Sequence, residues 1–145
     1  MLFRSETTLP TEIRLEIVTP EKLVAHDAVS EVTLPGKNGY LGVLPGHAPL
    51  LTELAPGELE YTSGGSHHNL VVDWGFAEVL GDRVIVLVQS AERPEEIDVE
   101  RAEKAKARAE DRLKRFDDPE IDRERARVAL SRALARLETA HKSKT

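Results

Sequence analysis

Five arginines in the last third of the chain are spaced so that they could bind an anion. Arg101 and Arg108 lie seven residues apart, and Arg125, Arg132 and Arg136 follow at spacings of seven and four. Helical side chains at these spacings share a face, and in an antiparallel hairpin Arg101 and Arg108 would lie opposite Arg136 and Arg132. Converging guanidinium groups repel one another unless a polyanion binds between them. The alternative is a solvated basic face, balanced by acidic side chains at helical spacings: Glu103, Glu110 and Glu138.

One charged phrase occurs twice in this region. "IDVERA" covers residues 97–102 and "IDRERA" covers residues 121–126. An Asp beside a helix start accepts hydrogen bonds from unpaired backbone N–H groups, and a Glu in the first turn lies favourably at the positive end of the helix dipole. Both copies can therefore be helix-start signals that perform no chemistry.

The sequence carries no recognisable enzyme signature. It has no cysteine, and it lacks the phosphate-binding loop, the nucleophile elbow and the zinc-binding H-E-x-x-H motif. His67 and His68 are adjacent on an expected strand, so they point to opposite faces and do not share a metal ion. A small hydrolase would need a Ser, His and Asp grouping, which the sequence does not reveal. We therefore predict no catalytic residue and no metal site.

Two helices are expected to carry the arginines. From Asp98 to Phe116 and from Pro119 to about His141 there is almost no Gly or Pro, and good helix formers dominate. Asp118 is the expected N-cap of the second helix, with Pro119 at its first position. The short connection predicts an antiparallel hairpin. Its seam is rich in alanine, so burial holds it by only a few kcal/mol: Ala102, Ala105, Ala109, Leu113, Phe116, Ala126, Leu130, Ala133, Leu134 and Leu137.

The residues before about position 92 follow a period of two, which indicates β-strands. Ile13, Leu15 and Ile17 alternate with charged residues, and hairpin turns are expected at residues 63–66 and 81–82. Many short strands at this spacing predict an antiparallel β-sandwich, with a closed barrel as the alternative. Trp74 and Phe76 are expected to lie in its core.

The predicted fold class is therefore α+β, mostly β in its N-terminal part. The sandwich domain covers residues 1–92, a linker covers residues 93–97, and a helical hairpin domain covers residues 98–145. The longest apolar run, "VIVLV", is too short to cross a membrane. We also expect neither a secretory signal nor a transit peptide in the first ten residues.

Charge is distributed unevenly between these two parts. Residues 1–96 carry 6 Lys and Arg against 15 Asp and Glu, a net charge of −9, whereas residues 97–145 carry 14 against 11, a net charge of +3. A basic tail on an acidic body favours an anionic partner for the tail. Nucleic acid is one candidate partner, but the acidic body and the aromatic content of 4% argue against it.

The stretch "NGYLGVLPGHAPLLTELAPGELEY" at residues 38–61 is specific enough to indicate a family. It resembles the epsilon subunit of bacterial F-type ATP synthases, and the resemblance runs from about Glu12 to Leu137. It implies a non-catalytic rotor subunit of the central stalk, peripheral on the cytoplasmic face of the plasma membrane. The sandwich would pack against the gamma subunit, and one loop would contact the membrane ring of c subunits through Tyr40, Gly46, His47 and Ala48.

The resemblance also implies a regulatory role for the helices. They would either fold against the sandwich or extend along gamma, where they meet an acidic segment of the beta subunit and block ATP hydrolysis. No cofactor is required, but ATP is the expected regulatory ligand, because "IDVERA" matches the family's I-D-x-x-R-A motif. The implied nucleotide-binding residues are Glu92, Ile97, Asp98, Arg101, Ala102, Arg108, Arg132 and Arg136.

Overall fold

The computed structural model describes residues 11–142 of the chain. The first ten residues, for which no signal or transit peptide is predicted, and the last three residues of the predicted hairpin domain lie outside this range. The described residues form ten β-strands, a short 3₁₀ helix and two α-helices. Their bounds are β1 Ile13–Val18, β2 Leu23–Val29, β3 Glu31–Gly36, β4 Gly39–Val43, β5 Leu50–Leu54, β6 Gly57–Ser63, β7 Ser66–Val72, β8 Gly75–Val79, β9 Arg83–Val88, β10 Ala91–Glu92, the 3₁₀ helix Pro94–Glu96, α1 Val99–Lys114 and α2 Arg123–Lys142.

The predicted fold class, a β-sandwich followed by a two-helix hairpin, is confirmed. Hydrogen bonding orders the strands β10-β7-β6-β3-β5-β8-β9-β1-β2, with β4 paired to β3. All of these pairs are antiparallel except β1 and β9, which run parallel. The predicted alternation of buried and exposed residues in β1 is confirmed, because Ile13, Leu15 and Ile17 are fully buried in the sandwich core.

Both predicted hairpins are confirmed as well. In the first, Ser63 pairs with Ser66 across Gly64 and Gly65. These two residues have φ angles of 58° and 81°, which glycine adopts without strain and which suit the twist of a two-residue turn. In the second, β8 and β9 pair as antiparallel neighbours, and the turn between them is closed by a backbone hydrogen bond of 2.8 Å.

The core placement predicted for Trp74 and Phe76 is wrong. Each side chain is 41% exposed, and their rings contact each other edge to face at 5.2 Å. The reason is the alternation of β8, in which Gly75, Ala77 and Val79 point inward, so Phe76 must point outward. Glu78 lies two positions after Phe76 on the same face of the strand. Its charge already indicated in the sequence that this face is exposed.

The helices begin at the two copies of the repeated phrase. The Asp98 side chain accepts a hydrogen bond from the Arg101 backbone N–H at 3.0 Å, and the Asp122 side chain accepts one from the Arg125 N–H at 3.0 Å. The predicted start of the second helix at Pro119 is therefore wrong. Asp118 instead accepts the Glu120 N–H at 2.9 Å, which closes a turn before the helix.

Four of the alanines predicted for the seam are buried: Ala102, Ala109, Ala126 and Ala133. The fifth, Ala105, is half-buried. Two larger residues predicted for the seam are not buried, since Phe116 is 77% exposed and Leu134 is 44% exposed. Phe116 leaves the seam because α1 ends at Lys114. Beyond this seam, α2 packs on the sandwich in a second apolar cluster, formed by Val71, Ile97 and Ala140 with Val99 and Ala135.

Candidate functional site

Two of the predicted nucleotide-binding arginines face the sandwich. Arg132 and Arg136 lie one turn apart on α2. Arg132 Nε donates to Asp73 Oδ1 at 3.0 Å, and Arg136 Nε donates to Glu92 Oε1 at 2.6 Å. The structure thus brings together Glu92 and Arg136, both named from the sequence. Sequence reasoning missed Asp73, because its contact spans 59 residues and no local pattern indicates it.

The side chains of the two predicted arginines of α1 make no polar contact with the rest of the described chain. Arg101 and Arg108 are exposed, and within residues 11–142 neither side chain makes a hydrogen bond or an ion pair. Asp98 acts as the helix cap, and Ala102 is only 3% exposed in the seam. A nucleotide-binding role for these α1 residues stays a prediction.

The second copy of the phrase reproduces the structural part of this pattern. Asp122 caps α2 as Asp98 caps α1, and Ala126 is 2% exposed. The fifth residue of Ile-Asp-x-x-Arg-Ala, the arginine, therefore donates its backbone N–H in both copies, and the alanine enters the seam. This helix-start role accounts for the repetition without any ligand.

The arginines of α2 are nevertheless suited to an anion. Each of Arg132 and Arg136 hydrogen-bonds within the described chain through Nε alone. Their side chains are 38% and 31% exposed. The terminal guanidinium nitrogens therefore keep donors in the planar arrangement that matches a phosphate group. This donor chemistry fits the triphosphate of ATP.

Ile97 lies at the junction between the sandwich and the hairpin, and a groove lies between the two helices. Ile97 is 9% exposed and packs on Val71 and Ala140. A groove of about 540 Å³ lies between the start of α1 and the end of α2, where Val99, Leu137 and other residues line it. None of the predicted nucleotide-binding residues lines this groove.

A buried polar cluster that the sequence did not indicate lies further along α2. Glu58 on β6 is only 7% exposed and Thr139 is fully buried. The Glu58 carboxylate accepts hydrogen bonds from Thr139 Oγ1 at 2.6 Å, Lys142 Nζ at 2.7 Å and Asn69 Nδ2 at 3.2 Å. Lys142 Nζ also lies 3.3 Å from Glu60 Oε1. We call these five residues the Glu58 cluster.

The acid-base properties of the Glu58 cluster follow from its contacts. Burial alone would raise the pKa of the Glu58 carboxyl, but hydrogen bonding with Glu60, Lys142, Thr139 and Asn69 outweighs it and lowers the pKa from 4.5 to about 2. The pKa of Glu60 is raised, first by its hydrogen bonding with Glu58. The pKa of Lys142 is also raised, chiefly by its hydrogen bond to Glu58. Glu58 and Lys142 therefore form a charged pair at neutral pH.

The loop predicted to contact the membrane ring connects β4 to β5. Gly46 has a φ of 85° and donates its N–H to Gly81 O at 2.8 Å, which fixes the loop to the turn between β8 and β9. The His47 ring nitrogen Nδ1 lies 2.7 Å from Ala48 O. Tyr40 on β4 is 67% exposed. These contacts give the loop a preformed shape, whereas its binding partner stays a prediction.

Residues 11–142 contain neither a metal-binding cluster nor a membrane-spanning helix. No group of three or more His, Cys, Asp and Glu side chains there is arranged to hold a metal ion. No helix in this range is long and apolar enough to cross a membrane.

Comparison with known proteins defines the class of this chain. Its residues 12–94 match the family model for the β-sandwich domain of the ATP synthase delta/epsilon chain, and residues 95–141 match the model for the long α-helix domain of the same chain. Together these matches include nearly every described residue. The chain therefore belongs to the ATP synthase delta/epsilon chain family.

Within that family the chain is similar to bacterial epsilon chains. It is 62% identical to the ATP synthase epsilon chain of Koribacter versatilis over 68% of this chain and 69% of that one. It is 51% identical to the epsilon chain of Nitratidesulfovibrio vulgaris over 86% of this chain and 92% of that one. A chain from a structure of the Euglena gracilis mitochondrial ATP synthase, described as OSCP, F1 and c-ring, superposes with a TM-score of 0.81 and 29% identity, covering 94% and 85% of the two chains.

Proposed function

We propose that this chain is a non-catalytic subunit of the central stalk of a bacterial F-type ATP synthase, where it joins the gamma subunit to the ring of c subunits. The observation that carries the proposal is the match to the delta/epsilon family across both the sandwich and the helices. The Euglena relative comes from an assembly whose description includes F1 and the c-ring. The chain would be peripheral on the cytoplasmic face of the plasma membrane and would insert no segment into it.

The loop between β4 and β5 is the proposed contact with the c-ring. A loop that is already ordered loses little conformational entropy on binding, and the hydrogen bond from Gly46 to Gly81 supplies that order. Exposed apolar side chains flank the loop, since Leu44 is 60% exposed and Leu51 is 70% exposed. Together with Tyr40, His47 and Ala48, these two leucines form the surface proposed to bind the polar loops of the c-ring and the apolar residues beside those loops.

The helical hairpin is the proposed brake on ATP hydrolysis. It packs through alanines, each of which buries little apolar area, and two of the ion pairs between α2 and the sandwich are partly exposed and therefore weak. A hairpin held in this way can leave the sandwich and extend along gamma. Residues 123–145 carry a net charge of +5, which complements an acidic segment of the beta subunit.

ATP is the proposed ligand of the folded hairpin. The terminal nitrogens of Arg132 and Arg136 would bind its phosphates, and Glu92, Ile97, Asp98, Arg101, Ala102 and Arg108 complete the implied site. A ligand at a hundred times its dissociation constant stabilises the state that binds it by about 2.7 kcal/mol. That free energy is comparable to the few kcal/mol expected of the seam, so ATP would shift the hairpin towards its folded state and low ATP would release it.

The proposal is tested by reconstitution into a bacterial F-type complex that has been depleted of this subunit. The full chain is expected to copurify with gamma and the c-ring. A chain ending at residue 96 is expected to assemble equally but to leave ATP hydrolysis faster than the full chain does. Failure of the full chain to bind gamma and the ring would refute the stalk assignment, whereas equal hydrolysis rates with both chains would refute the brake.

A further inference from the structure

Helix α2 is tied to the sandwich by polar side chains at three places along its length. The first two are the ion pairs of Arg132 with Asp73 and of Arg136 with Glu92. The third is the Glu58 cluster, to which α2 contributes Thr139 and Lys142. Within residues 11–142, no side-chain hydrogen bond or ion pair joins α1 to the sandwich. The polar contacts that dock the hairpin are therefore made by α2.

The third contact differs from the other two in its burial. Asp73 and Glu92 are 21% and 30% exposed in their side chains, so water can solvate them when the arginines leave. Glu58 and Thr139 are the only buried polar or charged residues in the described part of the chain. A buried carboxylate needs its donors, because an unpaired buried charge is strongly unfavourable. Helix α2 can therefore cover Glu58 only in the register that places Thr139 and Lys142 on its carboxylate.

The Glu58 cluster is also separate from the residues assigned to ATP. Thr139 lies three residues beyond Arg136, on the next turn of α2. None of the predicted nucleotide-binding residues hydrogen-bonds with Glu58 in the described structure; its donors are Thr139, Lys142 and Asn69. A nucleotide bound at the arginines therefore does not have to displace any donor of Glu58.

We propose that the Glu58 cluster is a latch that holds the last turns of α2 on strand β6 whether or not nucleotide is bound. The hairpin then has two independent contributions to its folded state. Arg132 and Arg136 bind both the sandwich carboxylates and the nucleotide. The Thr139 hydroxyl and the Lys142 ammonium bind the sandwich but not the nucleotide, and they hold Glu58 with or without nucleotide. Opening of the hairpin requires the latch to break. The strength of the latch therefore contributes to the fraction of open chains in the absence of nucleotide.

The latch can be tested by measuring the distance between α2 and the sandwich in the isolated full chain. The sequence contains no cysteine, so spin labels on Ser66→Cys in the β6–β7 hairpin and on Ser131→Cys in α2 report docking without competing thiols. Both positions are exposed. The Thr139→Val variant keeps the shape of the side chain but removes its donor. Thr139→Ser restores the hydroxyl.

We expect Thr139→Val to raise the ratio of undocked to docked chains about tenfold, as befits the loss of one hydrogen bond to a buried carboxylate. The same factor is expected without nucleotide and with saturating MgATP, and Thr139→Ser should return the ratio towards that of the parent chain. Glu124→Gln is the matched control, because it removes an exposed ion pair with Arg127 on the same helix and should leave the ratio unchanged.

Two results would overturn the latch. One is an unchanged distance distribution in Thr139→Val, and the other is an effect of the variant that disappears when MgATP is added. The β-sheet circular dichroism of each variant confirms that the sandwich is folded. Because the latch does not depend on nucleotide binding, a parent chain that fails to bind ATP would refute the proposed ATP site and leave this test valid.

Discussion

Replacing Arg136 by alanine should weaken ATP binding to the isolated chain far more than replacing a neighbouring surface arginine. Arg136 is 31% exposed and uses Nε for Glu92 at 2.6 Å, so its terminal nitrogens are available for a phosphate. Loss of a hydrogen bond between charged groups costs about 1.5–3 kcal/mol, which is roughly a tenfold to hundredfold change in affinity. Loss of the pair with Glu92 adds at most about 1 kcal/mol, because that pair is partly exposed.

The assay is a calorimetric titration with MgATP at fixed ionic strength, with Arg132→Ala measured in parallel. Arg127→Ala is the matched control, since Arg127 lies on the same helix and pairs only with Glu124 at 3.1 Å in the described structure. It removes the same charge from α2 without touching the sandwich. Affinities of Arg132→Ala and Arg136→Ala within twofold of that control would refute the placement of phosphates at these arginines.

Three further predictions concern stability. Gly75→Ala should destabilise the sandwich by about 3 kcal/mol in urea unfolding, because its Cβ would lie 2.7 Å from Val88 Cα. The control Gly42→Ala, whose Cβ would have nothing within 4 Å, should be nearly neutral, and equal urea midpoints for the two variants would contradict the close packing at Gly75. Asp122→Ala should cost about 1 kcal/mol through loss of the α2 cap, seen as faster amide exchange in the first turn; unchanged exchange would count against the cap. Folding lowers the pKa of Glu58 from 4.5 to about 2, so the stability that Glu58 contributes should be complete above about pH 4.5 and fall as the pH drops towards 2. This loss of stability should be absent in Glu58→Gln. An identical pH dependence in that variant would exclude Glu58 as the source of the loss.

Local periodicity was sufficient to predict strands up to about residue 92 and two helices after it, but not the start of α2 at Arg123. The alternation of Ile13, Leu15 and Ile17 identified β1, and the glycines at positions 64 and 65 identified the first hairpin. The parallel pairing of β1 with β9 joins segments about seventy positions apart, and no local pattern encodes it. Phe76 shows how residue type alone misleads, because the alternation of its strand determines its face and its hydrophobicity does not.

The candidate site was predictable only in part. Helical spacing identified the arginines, and the family motif assigned them a ligand, but neither indicated that Arg132 would pair with Asp73. Glu58 and Thr139 are 81 residues apart. From the sequence alone a Glu in a strand is expected to be exposed to water, because the helix that covers Glu58 is distant in sequence. Long-range pairing of polar groups is determined by tertiary packing, which a single sequence does not express.

The measurement that tests the account most directly is ATP hydrolysis by the reconstituted complex with α2 held on the sandwich. Lys142 Nζ lies 3.3 Å from Glu60 Oε1, so Glu60→Cys and Lys142→Cys place two thiols within reach of a short, cleavable bifunctional reagent in a chain that otherwise lacks cysteine. If the hairpin must leave the sandwich to act as a brake, the crosslinked chain should permit hydrolysis as fast as the chain ending at residue 96, and cleavage of the reagent should restore inhibition. Equal inhibition before and after cleavage would contradict the account.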